Sequence, residues 1–436
     1  VKDYLYRLIG SEVSRITRRY DATIEWRAHA PRSRDLVDYV DAPEKLRCDG
    51  PGFTPDLSGE RERRTAVLLN GELNHCPDVL GMLDSLKPRL SRASRVVLVL
   101  YNPYLSWLYR LANALGIRSG EVPVTFLTRS DLESFARLSG YDIVRTRLAG
   151  YVPWRLLGLG TLANRLLSVV PLVRWLALVY IAVLRPVVDE SARRPSLSVV
   201  IPARNERGNI RAAVERMPDL GCTIEVIFVE GHSSDGTWEE IQDLVAGYRG
   251  PLRLKCLKQG GRGKSDAVLA GFAQAEGELL TVLDADLTMP PEMLPRFYMA
   301  WVRGQADFVN GSRLVYPIHP EAMQFLNRLG NVFFAKALSW ALDNRYSDSL
   351  CGTKMMTRHD HQRMLAWRRE FGEYDPFGDF DMLFPAAELA LGTIDVPIRY
   401  LPRTYGETNI RRFYHGLMLL KMTLVGLWRV KLGLRD

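Results

Sequence analysis

The chain has 436 residues, 47% hydrophobic and 25% charged, with a net charge of +8. That length suits two domains and that composition a sizeable core, which excludes a disordered or fibrous chain. The basic balance fits anionic lipid or a phosphorylated substrate, while no block of like charge marks a nucleic-acid tail, and five scattered cysteines without Cys-x-x-Cys spacing argue against a disulfide framework or structural zinc.

Residues 1–60 are polar and irregular, with no cleavable signal read at the start, where Val1 stands. Order is expected from Thr65–Asn70, a strand, and Pro77–Leu90, an amphipathic helix. Arg95–Tyr101 reads as a fully buried strand. Ser130 and Glu133 have the spacing of a capping box opening a helix that ends near Gly140, and Tyr141–Thr146 reads as a further strand. The stretches VLLNGELNHCPDVLGMLDSLKPRL and RVVLVLYN resemble the second half of a class I S-adenosylmethionine methyltransferase. The first half of such a domain should supply an apolar strand running into a Gly-rich loop, and an acidic end to the next strand. Neither is found; the Gly cluster Cys48–Gly52 has no predicted strand before it. Residues 1–150 are therefore expected to form a degenerate methyltransferase-like domain that folds without binding the cofactor.

Residues 151–190 are expected to be amphipathic helices and a linker. Tyr151–Pro186 is rich in Leu, Val and Trp, is divided by Pro171, and carries Arg155, Arg165, Arg174 and Arg185. Neither half has the ~20 apolar residues of a spanning helix, and Trp with Arg on an apolar helix suits a membrane interface; helices packed between domains are the alternative.

A second α/β unit is expected over 191–402. Leu197–Ile201 is a strand ending in PARNE, Thr223–Val229 one ending in EGHSSDGT, and Leu252–Leu257 a third. GGRGKS at 260–265 opens a helix, but it is no P-loop, because residue 258 is Lys where that motif needs Gly. The run Leu279–Leu283 then ends in Asp284 and Asp286, two hard oxygen ligands at the strand edge where open α/β sheets bind ligands. The bland alternative is a strand end whose carboxylates cap the next helix. Pro317–Leu342 reads as an amphipathic helix or pair, and the run from Arg411 to Lys431 within 403–436 as a second interfacial helix interrupted by Lys421.

The order PARNE, VEGHSSDGT, GGRGKSDAVLAGF, DADLTMPPE resembles family 2 glycosyltransferases of GT-A fold. GSR at 311–313, DSLCGTK at 348–354 and RTYGETN at 403–409 look like the dolichyl-phosphate mannose synthase and polyprenyl-phosphate glycosyltransferase branch, so the likeness covers roughly residues 195–430. The resemblance implies an α/β protein of two Rossmann-like units. It implies a UDP- or GDP-sugar donor held by Pro202, Arg204, Glu206, Glu230, Asp235, Lys264, Asp266 and Asp284. It implies Mg²⁺ or Mn²⁺ on Asp284, Asp286 and Thr288, where the family often has Gln at the last position, and a polyprenyl phosphate acceptor on Arg313, Arg328 and Arg403. Glu230–Gly231 replaces the usual Asp–Asp and leaves the base open.

An ionised lipid phosphate is its own nucleophile and needs cations rather than a general base. A hydroxyl acceptor needs a base, and Asp379 and Asp381 stand where such members keep one; Asp381 can equally orient a donor hydroxyl, and Asp379 can cap the next helix. Three readings stay open: transfer to a polyprenyl phosphate with inversion, transfer to a hydroxyl acceptor, and a non-enzymatic scaffold. The first places the protein on the cytoplasmic membrane face, peripheral or monotopic, with membrane lipid and a second copy as further partners.

Overall fold

The computed structural model describes residues 2–28, 34–50, 56–116, 123–168, 170, 173–316, 325–371, 378–403, 405 and 412–432. The chain divides into two compact units. Unit 1 is Val1–Val188 with Glu388–Gly392 and Lys431–Asp436; unit 2 is Asp189–Ala387 with Thr393–Val430. Each is an α/β unit on one mixed sheet.

The sheet of unit 1 comprises β1 (Ala22–Arg27), β2 (Glu44–Asp49), β3 (Thr65–Asn70), β4 (Arg95–Tyr101), β5 (Tyr141–Ala149) and β6 (Val179–Pro186), in the order β2-β1-β3-β4-β6-β5. The pairs from β2 to β4 are parallel, and β6 runs antiparallel to both β4 and β5. Val67, Leu69, Val96 and Leu98 pack on one face with Leu83 and Leu132 of the helices Val79–Leu86 and Arg129–Leu138. Ala66, Leu68, Val97 and Val99 pack on the other with Val13 and Ile16 of the helix Lys2–Thr17. Successive strand side chains alternate between faces, so a sheet covered on both sides is apolar at every position.

Four expectations change here. The polar opening is ordered: β1 and β2 are strands, and β2 runs into the Gly cluster at 48–52. β2 was illegible because it is an exposed edge strand whose sequence, EKLRCD, has no buried face. It ends at Asp49, whose carboxylate takes Arg27 Nε at 2.8 Å. Val179–Pro186 is no interfacial helix but an interior strand, buried at nearly every position. The capping box is Thr128 with Asp131: Asp131 N–H donates to Thr128 Oγ1 (3.3 Å), and Thr128 N–H to Asp131 Oδ2 (2.9 Å).

Buried and half-buried arginines hold the two late segments of unit 1. Arg95 donates through Nε to Ala390 O (2.9 Å), and Leu389 O accepts from Tyr20 (3.0 Å) and Arg64 (3.3 Å). Arg18 reaches the Glu388 carboxylate at 3.3 Å. Lys431 O accepts from Arg15 and Arg147, each at 3.0 Å. A guanidinium has five donors and no acceptor, so inside a protein it is stable only where carbonyls or carboxylates converge on it.

The sheet of unit 2 comprises β7 (Leu197–Ala203), β8 (Ile224–Glu230), β9 (Arg253–Lys258), β10 (Leu279–Val282), β11 (Phe308–Ser312), β12 (Lys354–Thr357) and β13 (Thr393–Pro397). Its order is β13-β11-β12-β10-β7-β8-β9, parallel from β10 through β9, with β12 antiparallel to β10 and β11. The chain starts on β7, moves outward to β9, then returns to β10 on the other flank of β7. The carboxyl ends of β7 and β10 therefore border the switch point, where the loops diverge and leave a crevice. The described part of Pro317–Leu342 is one helix, Phe325–Leu342, and the C-terminal run is a helix, Arg412–Gly426, followed by a π-helical turn, Leu427–Lys431. Among the described residues no helix is long and apolar enough to cross a membrane.

Candidate functional site

β10 is buried throughout, and Leu283 still hydrogen-bonds β7, its N–H reaching Val200 O at 3.0 Å. The chain then turns sharply, with Leu287 at φ 52° and its N–H on Asp284 O (3.1 Å). Asp286 is fixed in this turn: Oδ1 accepts from both Thr288 N–H (3.0 Å) and Thr288 Oγ1 (2.8 Å). A short side chain accepting from the backbone two residues on is the usual way Asp stabilises a turn.

Each carboxylate faces a cation. Lys264, first residue of the helix Lys264–Ala273, pairs with Asp284, and Arg403 pairs with Asp286 Oδ2 at 2.7 Å. The first pair lies against bare backbone at Gly352, where a Cβ would stand 2.3 Å from Lys264 Nζ and 2.6 Å from Asp284 Oδ2. Burial alone would raise the Asp284 pKa; Lys264, with Lys354 and Arg313 behind it, outweighs burial and holds it below the usual carboxylate value. Burial likewise opposes the Lys264 charge, but Asp284 and then Asp379 raise its pKa.

These groups line a cleft of about 1260 Å³ with Pro202, Arg204, Glu206 and Asp235, so most predicted donor residues share one wall system. Glu206 is buried and accepts from Asn209 Nδ2 at 2.7 Å. Burial first, then the charges of Asp286 and Asp235, push its carboxyl up to about 7 against the pull of Asn209 and Arg403. Asp235 goes the other way: burial is outweighed by bonds from Thr237, Arg207 N–H and Tyr405, and its pKa falls. Tyr405 O–H donates to Asp235 Oδ2 at 3.2 Å. Glu230 and Asp266 shape loops instead of lining the cleft. Glu230 Oε1 accepts from Ser233 N–H, and Asp266 Oδ2 from Gly261 N–H at 2.9 Å.

Other assigned residues are spent elsewhere. Thr288 gives its hydroxyl to Asp286, which makes it a support for that carboxylate. Arg313 was assigned to the acceptor phosphate, yet it grips the fully buried Asp348 through Nε (2.7 Å) and Nη2 (2.9 Å) and stacks on Tyr400, with 5.4 Å from its carbon to the ring centroid. This is an internal bidentate pair, the geometry Arg favours for any carboxylate. Asp379 pairs with the buried Lys354, whose Nζ also donates to Cys351 O. Asp381 pairs with Arg368 at 2.9 Å and lines a separate small cavity with Ser265 and His361. Neither carboxylate lines the cleft. The side chain of Arg328 lies outside the described residues. Sequence reasoning did not single out Gly352, Lys354 or Asp348, although DSLCGTK contains all three.

Among the described residues no three His, Cys, Asp or Glu side chains converge on a metal position. Asp284 and Asp286 alone cannot cage an ion, but two carboxylates suit Mg²⁺ or Mn²⁺ that arrives with waters and phosphate oxygens as its remaining ligands. Gly352 leaves room for the Lys264–Asp284 pair, and Asp284 stays partly exposed on the cleft wall, where such an ion would sit.

The glycosyl transferase family 2 model matches residues 198–365. Over 250 residues the chain is 36% identical to the dolichol-phosphate mannosyltransferase of Mycosarcoma maydis, covering 55% of this chain and 81% of that protein. It is 35% identical over 136 residues to the dolichol-phosphate mannosyltransferase of Pyrococcus furiosus, covering 30% of this chain and 37% of that one. It is 29% identical over 228 residues to the undecaprenyl-phosphate 4-deoxy-4-formamido-L-arabinose transferase of Aeromonas hydrophila, covering 51% and 64%. The chain thus spans less than two thirds of the latter two relatives, whereas it covers most of the first. On that match, and on the family motifs along β7 to β12, the chain belongs to glycosyl transferase family 2.

Proposed function

We propose that the chain transfers a sugar, with inversion, from a UDP- or GDP-sugar to a polyprenyl phosphate, dolichyl or undecaprenyl, on the cytoplasmic membrane face. The observation that carries this reading is the cleft at the β7/β10 switch point, with two carboxylates each facing a cation, Lys264 and Arg403. Leaving-group charge builds on the donor diphosphate as the anomeric bond breaks. Lys264 and Arg403 answer that charge directly, and Asp284 and Asp286 would hold Mg²⁺ or Mn²⁺ against it, supplying Lewis-acid stabilisation. An acceptor phosphate attacks without giving up a proton, so no base is needed. Of the three arginines expected to hold it, Arg403 is the one whose described side chain lines the cleft. The hydroxyl-acceptor reading is weaker, because Asp379 and Asp381 are each neutralised by a cation away from the cleft lining.

The relatives named as polyprenyl-phosphate transferases support this acceptor class. So does the exposed apolar surface of the helices near Phe333 (58% exposed) and Trp428 (56%), a place for a lipid chain to enter from a membrane. Unit 1 is read as a methyltransferase relic. Its internal acids are used by its own backbone: Glu25 accepts from Leu36 and Val37 N–H, and Glu72 from Ala28 N–H at 3.2 Å. Titration calorimetry with S-adenosylmethionine is expected to show no binding, and micromolar affinity would make the protein bifunctional.

The test of the transfer reading is incubation with labelled UDP- and GDP-sugars, Mn²⁺ and a detergent-dispersed polyprenyl phosphate. A lipid-linked sugar is expected. Transfer to free alcohols alone would sink it.

A further inference from the structure

Unit 1 exposes an apolar surface built from two segments far apart in sequence. Trp107 is 62% exposed on the helix Ser106–Ala114, with Leu111 and Leu115 following at four-residue steps on the same face. Leu159, Leu162 and Leu166 form a similar exposed row on the helix Leu159–Leu167. The opposite side of that helix is anchored by buried Asn164, which accepts from Tyr151 and Val152 N–H and donates to Val152 O (2.9 Å) and Gly160 O (2.7 Å). The row is therefore held outward by design of the buried side. The residues just before the first helix meet a stretch that follows the second: Tyr104 stacks on Trp175 with ring centroids 5.7 Å apart, and Asn102 Nδ2 donates to Trp175 O at 2.8 Å. Trp175 is itself 63% exposed.

The charge pattern of both segments has one sign. No Asp or Glu occurs between Asp84 and Glu121, or between Asp142 and Asp189, while Arg110, Arg155 and Arg165 are exposed beside the apolar rows. An apolar surface of this kind is costly in water. Trp prefers the headgroup level of a bilayer, where its ring is sheltered and its N–H is wet. Arginines with no intervening acid attract anionic headgroups. A symmetric contact with a second copy would instead bring this surface against itself and set arginine against arginine.

We propose that this surface of unit 1 docks the protein on an anionic lipid bilayer, as a membrane contact separate from the acceptor site of unit 2. It deepens the membrane-face reading above but does not depend on the transfer reaction. The donor cleft has no part in it, and its occupant is the lipid surface itself.

The test is flotation of the full chain with phosphatidylcholine vesicles, with and without phosphatidylglycerol. The wild type is expected to float with the anionic vesicles and much less with the neutral ones. Trp107→Ser, and the charge reversal Arg110→Glu with Arg165→Glu, are each expected to weaken anionic-vesicle binding about tenfold or more. Both variants should keep the wild-type melting temperature and transfer to detergent-dispersed polyprenyl phosphate. Equal flotation of the variants would place the membrane contact elsewhere and overturn the proposal, as would equal wild-type binding to neutral vesicles. A concentration-dependent dimer, formed without lipid and broken by Trp107→Ser, would overturn it in favour of a second copy. Wild-type chain that floats as described but transfers no sugar would refute the function and leave this surface standing.

Discussion

Gly352 carries no side chain, and the Lys264–Asp284 pair occupies the space a side chain would take. Gly352→Ala is expected to push the pair apart by about 1 Å, a displacement that costs a well-positioned site on the order of 100-fold in kcat. Circular dichroism should show the fold retained. Asp286→Asn tests the turn and the ion together. The amide keeps an oxygen for Thr288 but loses its charge, so turnover should fall on the order of 100-fold while the melting temperature moves little. Full activity in that variant, or activity indifferent to EDTA, removes the metal from the reading. Glu206 gives a pH signature. Its folded pKa, about 7, lies above the unfolded value, so the folded state holds the extra proton between about pH 4.5 and 7. Stability should therefore fall as pH rises through that window, by at most about 3 kcal/mol from this group. Glu206→Gln should flatten that slope in melting curves taken from pH 5 to 8, on the order of the same window. Buried His361, whose pKa burial lowers to about 4, has the opposite slope below neutrality and is unchanged by the variant. At this scale residue type and spacing marked Asp284 and Asp286, and the family resemblance added Lys264 and Arg403. It could not mark which arginine is spent, because Asp348 lies thirty-five positions from Arg313 and only the folded sheet brings them together.

Elements were legible where burial writes a pattern. β3, β4, β7, β8 and β10 are runs dominated by apolar residues, and each is legible as a strand in the sequence. β2 failed for lack of a buried face, and β6 failed for the opposite reason: a strand apolar on every side has no period to separate it from an apolar helix. The stretch leading into β12 depends on the Arg313–Asp348 pair, since Asp348 also accepts from Arg313 N–H (3.1 Å) and Leu350 N–H (3.0 Å). Asp348→Ala leaves a largely buried guanidinium without its partner and should cost about 3–5 kcal/mol in urea unfolding. Arg313→Lys keeps the charge but not the fork, and it should recover only part of that loss.

The whole molecule is not two beads on a string in sequence. Unit 1 closes only when Glu388–Gly392 and Lys431–Asp436 have joined it. A chain beginning at residue 189 leaves Glu388, Leu389 and Ala390 without Arg18, Arg64 and Arg95. It is expected to melt earlier than the full chain and to be cut first around residues 388–392 by a nonspecific protease. Equal melting temperatures would show that unit 2 needs nothing from these contacts. The interleaving also sets a schedule for synthesis. A nascent chain normally completes its N-terminal domain while the remainder is still being translated. Here Arg64 and Arg95 are made early and wait for partners encoded some three hundred residues later, so the part of the protein that emerges first is the last to be finished. Until then the ribosome-bound chain lacks the carbonyls of Leu389 and Ala390 that Arg64 and Arg95 hold in the finished fold, and a pulse-chase assay should find unit 1 protease-sensitive until release of the full chain.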